Sequence, residues 1–280
     1  MNYKKINIDE ILADPFCFLH EGKYYLTGSH CSSPGSHSKS IFHMYVSDNL
    51  ENWAYSGSLM ARPEYEGSKK CNFWAPEIMF LDEKFYLYYT ADQEGDPYKR
   101  FIRVGVSEHP EGPYVDQGIW LTKEASIDGS PFIDSNGEIF FFYTGNEGSP
   151  FEGQLVMDTF INPLELSQNP EKVFPDENVE WEEGAFILKE KETYFLFSSQ
   201  GDWRDSSYGI RIAESKSITG PWKRMEKDGE AFVLLSTDEQ LNGPGHNSVF
   251  RNEAGKPFIC FHSWNKEGTG RYPWLGELNL

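Results

Sequence analysis

Basic residues are scarce in this sequence: 25 Lys and Arg stand against 44 Asp and Glu, a net charge of −19. A field of that sign repels nucleic acid and anionic lipid, so neutral partners are expected. No apolar run is long enough to cross a bilayer as a helix. The opening residues, Met1-Asn-Tyr-Lys-Lys-Ile-Asn-Ile-Asp-Glu10, lack the apolar stretch of a secretory leader. As it stands the sequence predicts a soluble, cytoplasmic protein; a chain whose leader had been removed would read the same way and be secreted or periplasmic. Only four cysteines occur, Cys17, Cys31, Cys71 and Cys260, none in Cys-x-x-Cys spacing. They read as reduced thiols and exclude a zinc site or a disulfide framework. Helical periodicity of any length is also missing.

Aromatic residues and glycine are abundant. The 8 Trp, 15 Tyr and 21 Phe make up 16% of the chain, and 25 Gly punctuate them. That composition suits many short strands joined by tight turns. One unit shows the pattern: Ile127–Ile133 is a strand, Asp134-Ser-Asn-Gly137 a turn, and Ile139–Gly145 an aromatic-rich return strand.

The unit recurs. Ile11–Leu19 turns at His20–Gly22 into Lys23–Gly28, and Phe73–Leu81 turns at Asp82-Glu83 into Lys84–Thr90. Further on, Glu183–Leu188 returns as Glu192–Ser199, and Gly243–Phe250 as Pro257–His262. Third strands are expected at Ile41–Val46, Phe101–Val106 and Gly209–Ala213, and a loop at Cys31–Lys39. The lead residues Asp14, Glu77, Asp128, Glu183 and His246 are 63, 51, 55 and 63 positions apart. Such spacing fits propeller blades better than solenoid turns. The prediction is an all-β, five-bladed propeller filling residues 1–280 as one domain; a β-sandwich is the alternative.

In a propeller the first strand of each blade lines the central axis. The five lead residues, taken as equivalent, would then bring four carboxylates and one imidazole to one mouth of the channel. Like charges so placed are costly without protons, cations or ligands, so stability alone gives no reason to gather them. Gly129 and Gly184, directly after two of the carboxylates, would let a ligand approach the backbone. Glu182 competes with Glu183 for the lead position, but alternation against Phe186-Ile187 selects Glu183. Separated carboxylates around a neutral substrate suit glycosidic hydrolysis, one taking a proton from water and another protonating the leaving oxygen. Trp74 and Trp203 are the expected platforms for stacking sugar rings.

At Ala13-Asp14-Pro15, Trp74-Ala-Pro-Glu77, Ile127-Asp128-Gly-Ser-Pro-Phe132, Glu183-Gly184 and Gly243-Pro-Gly-His246 the chain resembles glycoside hydrolase family 43. The order of the motifs is the family's, although Ala185 stands where many members have another residue. The resemblance implies Asp14 as general base, Glu183 as general acid and Asp128 as the group that tunes and orients the acid. It implies substrate contacts for Glu77 and Arg271, and places His246 at or near an axial ion such as structural calcium. No cofactor is expected for the chemistry. The implied activity is inverting release of arabinose from plant polysaccharide fragments, an α-L-arabinofuranosidase. The alternatives are a β-xylosidase and a non-catalytic carbohydrate-binding propeller. A phosphorylase or a sialidase would need basic clusters that are not found beside the lead residues.

Overall fold

The computed structural model describes residues 1–8, 10–30, 40–65, 68, 72–93, 96–177 and 179–279. The loop expected at Cys31–Lys39 and the thiols of Cys31 and Cys71 lie outside them. The described residues contain no helix and form five antiparallel sheets around one axis, with a small hairpin at 226–231.

Blade one comprises Leu12–His20, Lys23–His30, Ser40–Ser47 and Ala54–Ala61. Blade two runs through Phe73–Leu81, Lys84–Gln93, Asp96–Ser107 and Val115–Trp120. Blade three uses Ser126–Ile133, Ile139–Gly145, Leu155–Asn162 and the short Glu165–Leu166. Blade four has Glu182–Glu190, Thr193–Gln200, Gly209–Ser215 and Lys223–Arg224. Blade five takes Gly245–Arg251, Pro257–Trp264 and Arg271–Glu277 from the C-terminal side. Its outermost strand is Tyr3–Lys5 from the other end, with Lys5 opposite Trp274. Nothing in the sequence marks a strand there. Three residues carry too little pattern to signal a strand, and only their pairing partner gives them one.

The core lies between blades. Five apolar clusters each mix side chains of two neighbouring sheets, among them Met44 with Leu87, Tyr88 with Phe141, and Phe142 with Leu196. Phe197 meets Phe261 between blades four and five, and Leu26 meets Cys260 between five and one, which closes the ring. Both Cys17 and Cys260 are buried free thiols in that last cluster, as the spacing of the cysteines suggested.

Candidate active site

All five innermost strands are interrupted by the same bulge. Two residues drop out of register between Ala13 and Phe16, Trp74 and Glu77, Ile127 and Ser130, Glu183 and Phe186, and Gly245 and Ser248. The first of each pair is Asp14, Ala75, Asp128, Gly184 or His246, and each has a positive φ, between 46° and 62°. A non-glycine residue held there costs on the order of 1–3 kcal/mol, so the surroundings must fix it.

The neighbouring blade supplies that fixation. The N–H of Ala75 donates to Ser29 Oγ at 2.7 Å, that of Asp128 to Thr90 Oγ1 at 3.0 Å, and that of His246 to Ser199 Oγ at 2.8 Å. In blade one the acceptor is an imidazole: Asp14 N–H donates to His262 Nδ1 at 3.0 Å. Blade four departs in another way. The Gly184 N–H is near enough to the Asp128 carboxylate to favour its charge, while Thr144, at the matching position, turns its hydroxyl to Glu182 O at 3.2 Å.

The bulges correct the expected equivalence of the five lead residues. Asp14, Asp128 and His246 do share one position. Glu183 stands one residue before it, opposite Ser199, and Glu77 two residues after it, opposite Tyr88. Each bulge sets two residues against one, and alternation along a strand cannot locate that extra residue. The two glycines also serve packing. A Cβ on Gly129 would come within 2.5 Å of Phe141 Cζ and 2.8 Å of Ile102 Cδ1, and one on Gly184 would meet the His246 ring at 3.2 Å.

Asp14, Asp128 and His246 still meet. His246 Nδ1 lies 3.5 Å from Asp14 Oδ1 and 3.8 Å from Asp128 Oδ2. Burial would raise the Asp14 carboxyl, but His246 and Arg271 outweigh it and hold the group far below the usual carboxylate range. Arg271 Nη1 and His262 Nδ1 reach its Oδ1 at 3.5 and 3.4 Å. Asp128 is pushed the other way, up to about 7. Burial is the main cause; His246 pulls it down, and the charges of Glu183 and Asp14 raise it again. Two aspartates on one backbone feature are thus set as an ionised carboxylate and a proton holder.

Glu183 is fixed at both oxygens. Tyr208 OH donates to Oε1 at 2.6 Å and Trp181 Nε1–H to Oε2 at 2.7 Å. Burial and the nearby Glu183 charge keep the Tyr208 phenol protonated, so it remains a donor. Glu182 faces elsewhere: Arg224 grips it at 2.5 and 2.6 Å and Ser198 adds a bond. That supports Glu183 over Glu182, since Glu182 is consumed by an ion pair. Glu77 lies one layer below the bulges. Burial, outweighing a bond from Ser130, raises it well above the carboxylate range, and the Asp128 charge adds to that.

Arg271 also stands 4.5 Å over the Trp203 ring, and Trp203 lies parallel to Trp264 with 6.4 Å between centroids. Trp203, 42% exposed, is therefore joined through Arg271 to Asp14. Trp74 is less available than expected, because Arg100 lies 4.7 Å over its ring. Among the described residues no group of three or more His, Cys, Asp or Glu side chains is arranged to hold a metal, so an axial calcium beside His246 would take most of its six to eight oxygens from backbone and water.

His262, Tyr208 and Trp181 were missed in the sequence. A signal existed for the first. Ser29, Thr90, Thr144 and Ser199 hold matching places on the second strands, and His262 is the fifth member of that series. Tyr208 and Trp181 lie beside the strands, where no repeat marks them.

Comparison with known proteins supplies the family. The model of the glycosyl hydrolases family 43 matches residues 4–279. The chain is a member of glycoside hydrolase family 43. This family 43 protein is a glycosidase, an enzyme that hydrolyses O-glycosyl bonds. It is 31% identical to an extracellular endo-α-(1→5)-L-arabinanase of Thermotoga petrophila, covering 74% of this chain and 52% of that one. It is 25% identical to a β-D-galactofuranosidase of Aspergillus niger, covering 92% and 76%. Among solved structures, the endo-1,4-β-xylanase of Bacteroides thetaiotaomicron superposes with a TM-score of 0.79 at 25% identity, covering 96% and 91%. No helix among the described residues is long and apolar enough to cross a membrane.

Proposed function

We propose that this family 43 enzyme is an inverting α-L-arabinofuranosidase that releases arabinose from plant polysaccharides or their fragments. The observation that carries the reading is the opposite setting of Asp14 and Asp128. Asp14, kept ionised, accepts a proton from water as the water oxygen bonds to the anomeric carbon. Glu183 gives a proton to the glycosidic oxygen as its bond to that carbon breaks, and returns to its protonated form from solvent. Asp128 and Glu183 lie close enough for a charge on one to oppose a charge on the other, so the pair keeps a proton in the site for the acid step. Direct attack by water from one side, with protonation of the leaving group on the other, inverts the anomeric centre.

Arabinose as the sugar draws on the relatives named as arabinanases and as an exo-arabinofuranosidase. A neutral saccharide also suits a net charge of −19. Relatives named as extracellular enzymes favour action outside the cytoplasm. A β-xylosidase is the second reading, favoured by the likeness to the B. thetaiotaomicron xylanase. A carbohydrate-binding propeller without activity gives no account of an ionised aspartate facing a protonated one.

A panel of chromogenic arabinofuranosides and xylosides tests the sugar: the arabinoside is expected to be cleaved faster, and a preference for xyloside would install the second reading. Proton NMR of the first-formed product tests the stereochemistry. The inverted anomer is expected, and a retained one would remove Asp14 from the role of base.

A further inference from the structure

We propose that His262 and Tyr208 form one rigid imidazole–phenol pair that sets the general base and the general acid at their working separation. The proposal rests on the roles given above to Asp14 and Glu183. Those two carboxylates belong to different sheets, blades one and four. The stacked rings connect them through blade five. His262 Nδ1 accepts the Asp14 N–H at 3.0 Å and stands 3.4 Å from its Oδ1, while Tyr208 OH donates to Glu183 Oε1 at 2.6 Å. The two rings are 7° from parallel, with centroids 5.9 Å apart.

Neither ring has room to turn. Tyr208 packs against the chain at Gly245, the cross-strand partner of His262, where a Cβ would come within 1.9 Å of Cε1. His262 is fully buried. Burial and the Arg271 charge push it down to about 4, so at neutral pH it is uncharged. Because Nδ1 accepts the backbone N–H, the single ring proton sits on Nε2, and that buried atom has no hydrogen-bond partner.

The cost is informative. Ser29, Thr90 and Ser199 hold the same backbone feature in other blades with a hydroxyl. A hydroxyl is therefore enough to fix the bulge, and it would strand no buried N–H. What the imidazole adds is a flat face for Tyr208. An uncharged ring does not deliver protons to Asp14, so both members are positioning residues.

The test is a double-mutant cycle on the purified chain. H262S installs the hydroxyl that the other blades use and removes the stack; Y208F keeps the stack and removes the bond to Glu183. Each single change is expected to lower kcat about 10- to 100-fold, the scale of a misplacement near 1 Å, with KM within about two-fold. The double variant is expected to be no slower than the slower single, because both changes break one unit. Additive losses, or an H262S enzyme with kcat within about two-fold of the parent, would overturn the proposal. If H262S does not fold, H262N, whose amide oxygen accepts the same N–H, replaces it in the cycle with the same expectations. An active D14N enzyme would instead overturn the role of Asp14, whatever the cycle shows.

Discussion

Asp14 in blade one and Asp128 in blade three invite comparison because so much about them is the same. Both are the first residue of the same bulge, with φ of 46° and 60°, and each donates its N–H to a side chain of the preceding blade. Both are nearly buried. Their proton affinities nevertheless diverge. Asp14 has His246, Arg271 and His262 around it, whereas Asp128 shares His246 and otherwise faces Glu183 and Asp14. The backbone presents a carboxylate; its neighbours decide whether that carboxylate is a base or a store for a proton.

Removing either end of the proton transfer breaks the comparison most severely. D14N is expected to lower kcat about 10³-fold, within the usual range for a general base, and to lower Tm at neutral pH because His246 and Arg271 lose the anion between them. E183Q should lose about as much on arabino-oligosaccharides and clearly less on aryl glycosides whose leaving group needs no proton. Equal losses of E183Q on both substrates would argue against the acid role.

D128N addresses the other aspartate. Its expected loss in kcat is about 10- to 100-fold. Asp128 titrates near 7, so activity that needs its proton falls as pH rises through 7, and the basic limb of the wild-type profile should lie there. Stability follows the same sign. The folded chain holds this proton more tightly than the unfolded one, so stability is lost as pH rises from about 4 to about 7. D128N abolishes that titration. Its Tm is expected to match the wild type at pH 4 and to exceed it at pH 8; a D128N enzyme that melts lower at pH 8 would contradict the assignment.

R271M should make Asp14 more like Asp128. Loss of the guanidinium 3.5 Å away removes one of the groups that hold the Asp14 carboxyl down. The acid limb of kcat/KM is expected to move to higher pH, with kcat reduced about ten-fold at neutrality. An unmoved acid limb would show that Arg271 does not act on the base. The smallest effect is expected from W203A. With the exposed ring gone, KM should rise several-fold and kcat stay within about two-fold, the mark of a platform that binds ground state and transition state alike.

The propeller was legible because its evidence is periodic. Five hairpins, each a strand, a turn and an aromatic strand, survive as pattern whatever their exact register. The lead residues were legible as a group and wrong in detail. Glu183 and Glu77 are displaced by −1 and +2 from the position of Asp14, because a bulge leaves no mark in alternation. Trp74 illustrates another limit: its place before Glu77 gave no hint that Arg100, a residue of another strand in its blade, covers its ring.

The sequence by itself therefore determined the fold class, the five repeats and the carboxylates at their leading ends, because these depend on residue type and local order. Tertiary structure alone decided that Tyr3–Lys5 closes blade five, that Arg224 occupies Glu182 and leaves Glu183 to Tyr208 and Trp181, and that two aspartates on one backbone hold their protons so differently. Charge, burial and hydrogen bonds act through space over a few ångströms, and the groups that supply them here come from blades that lie far apart along the chain.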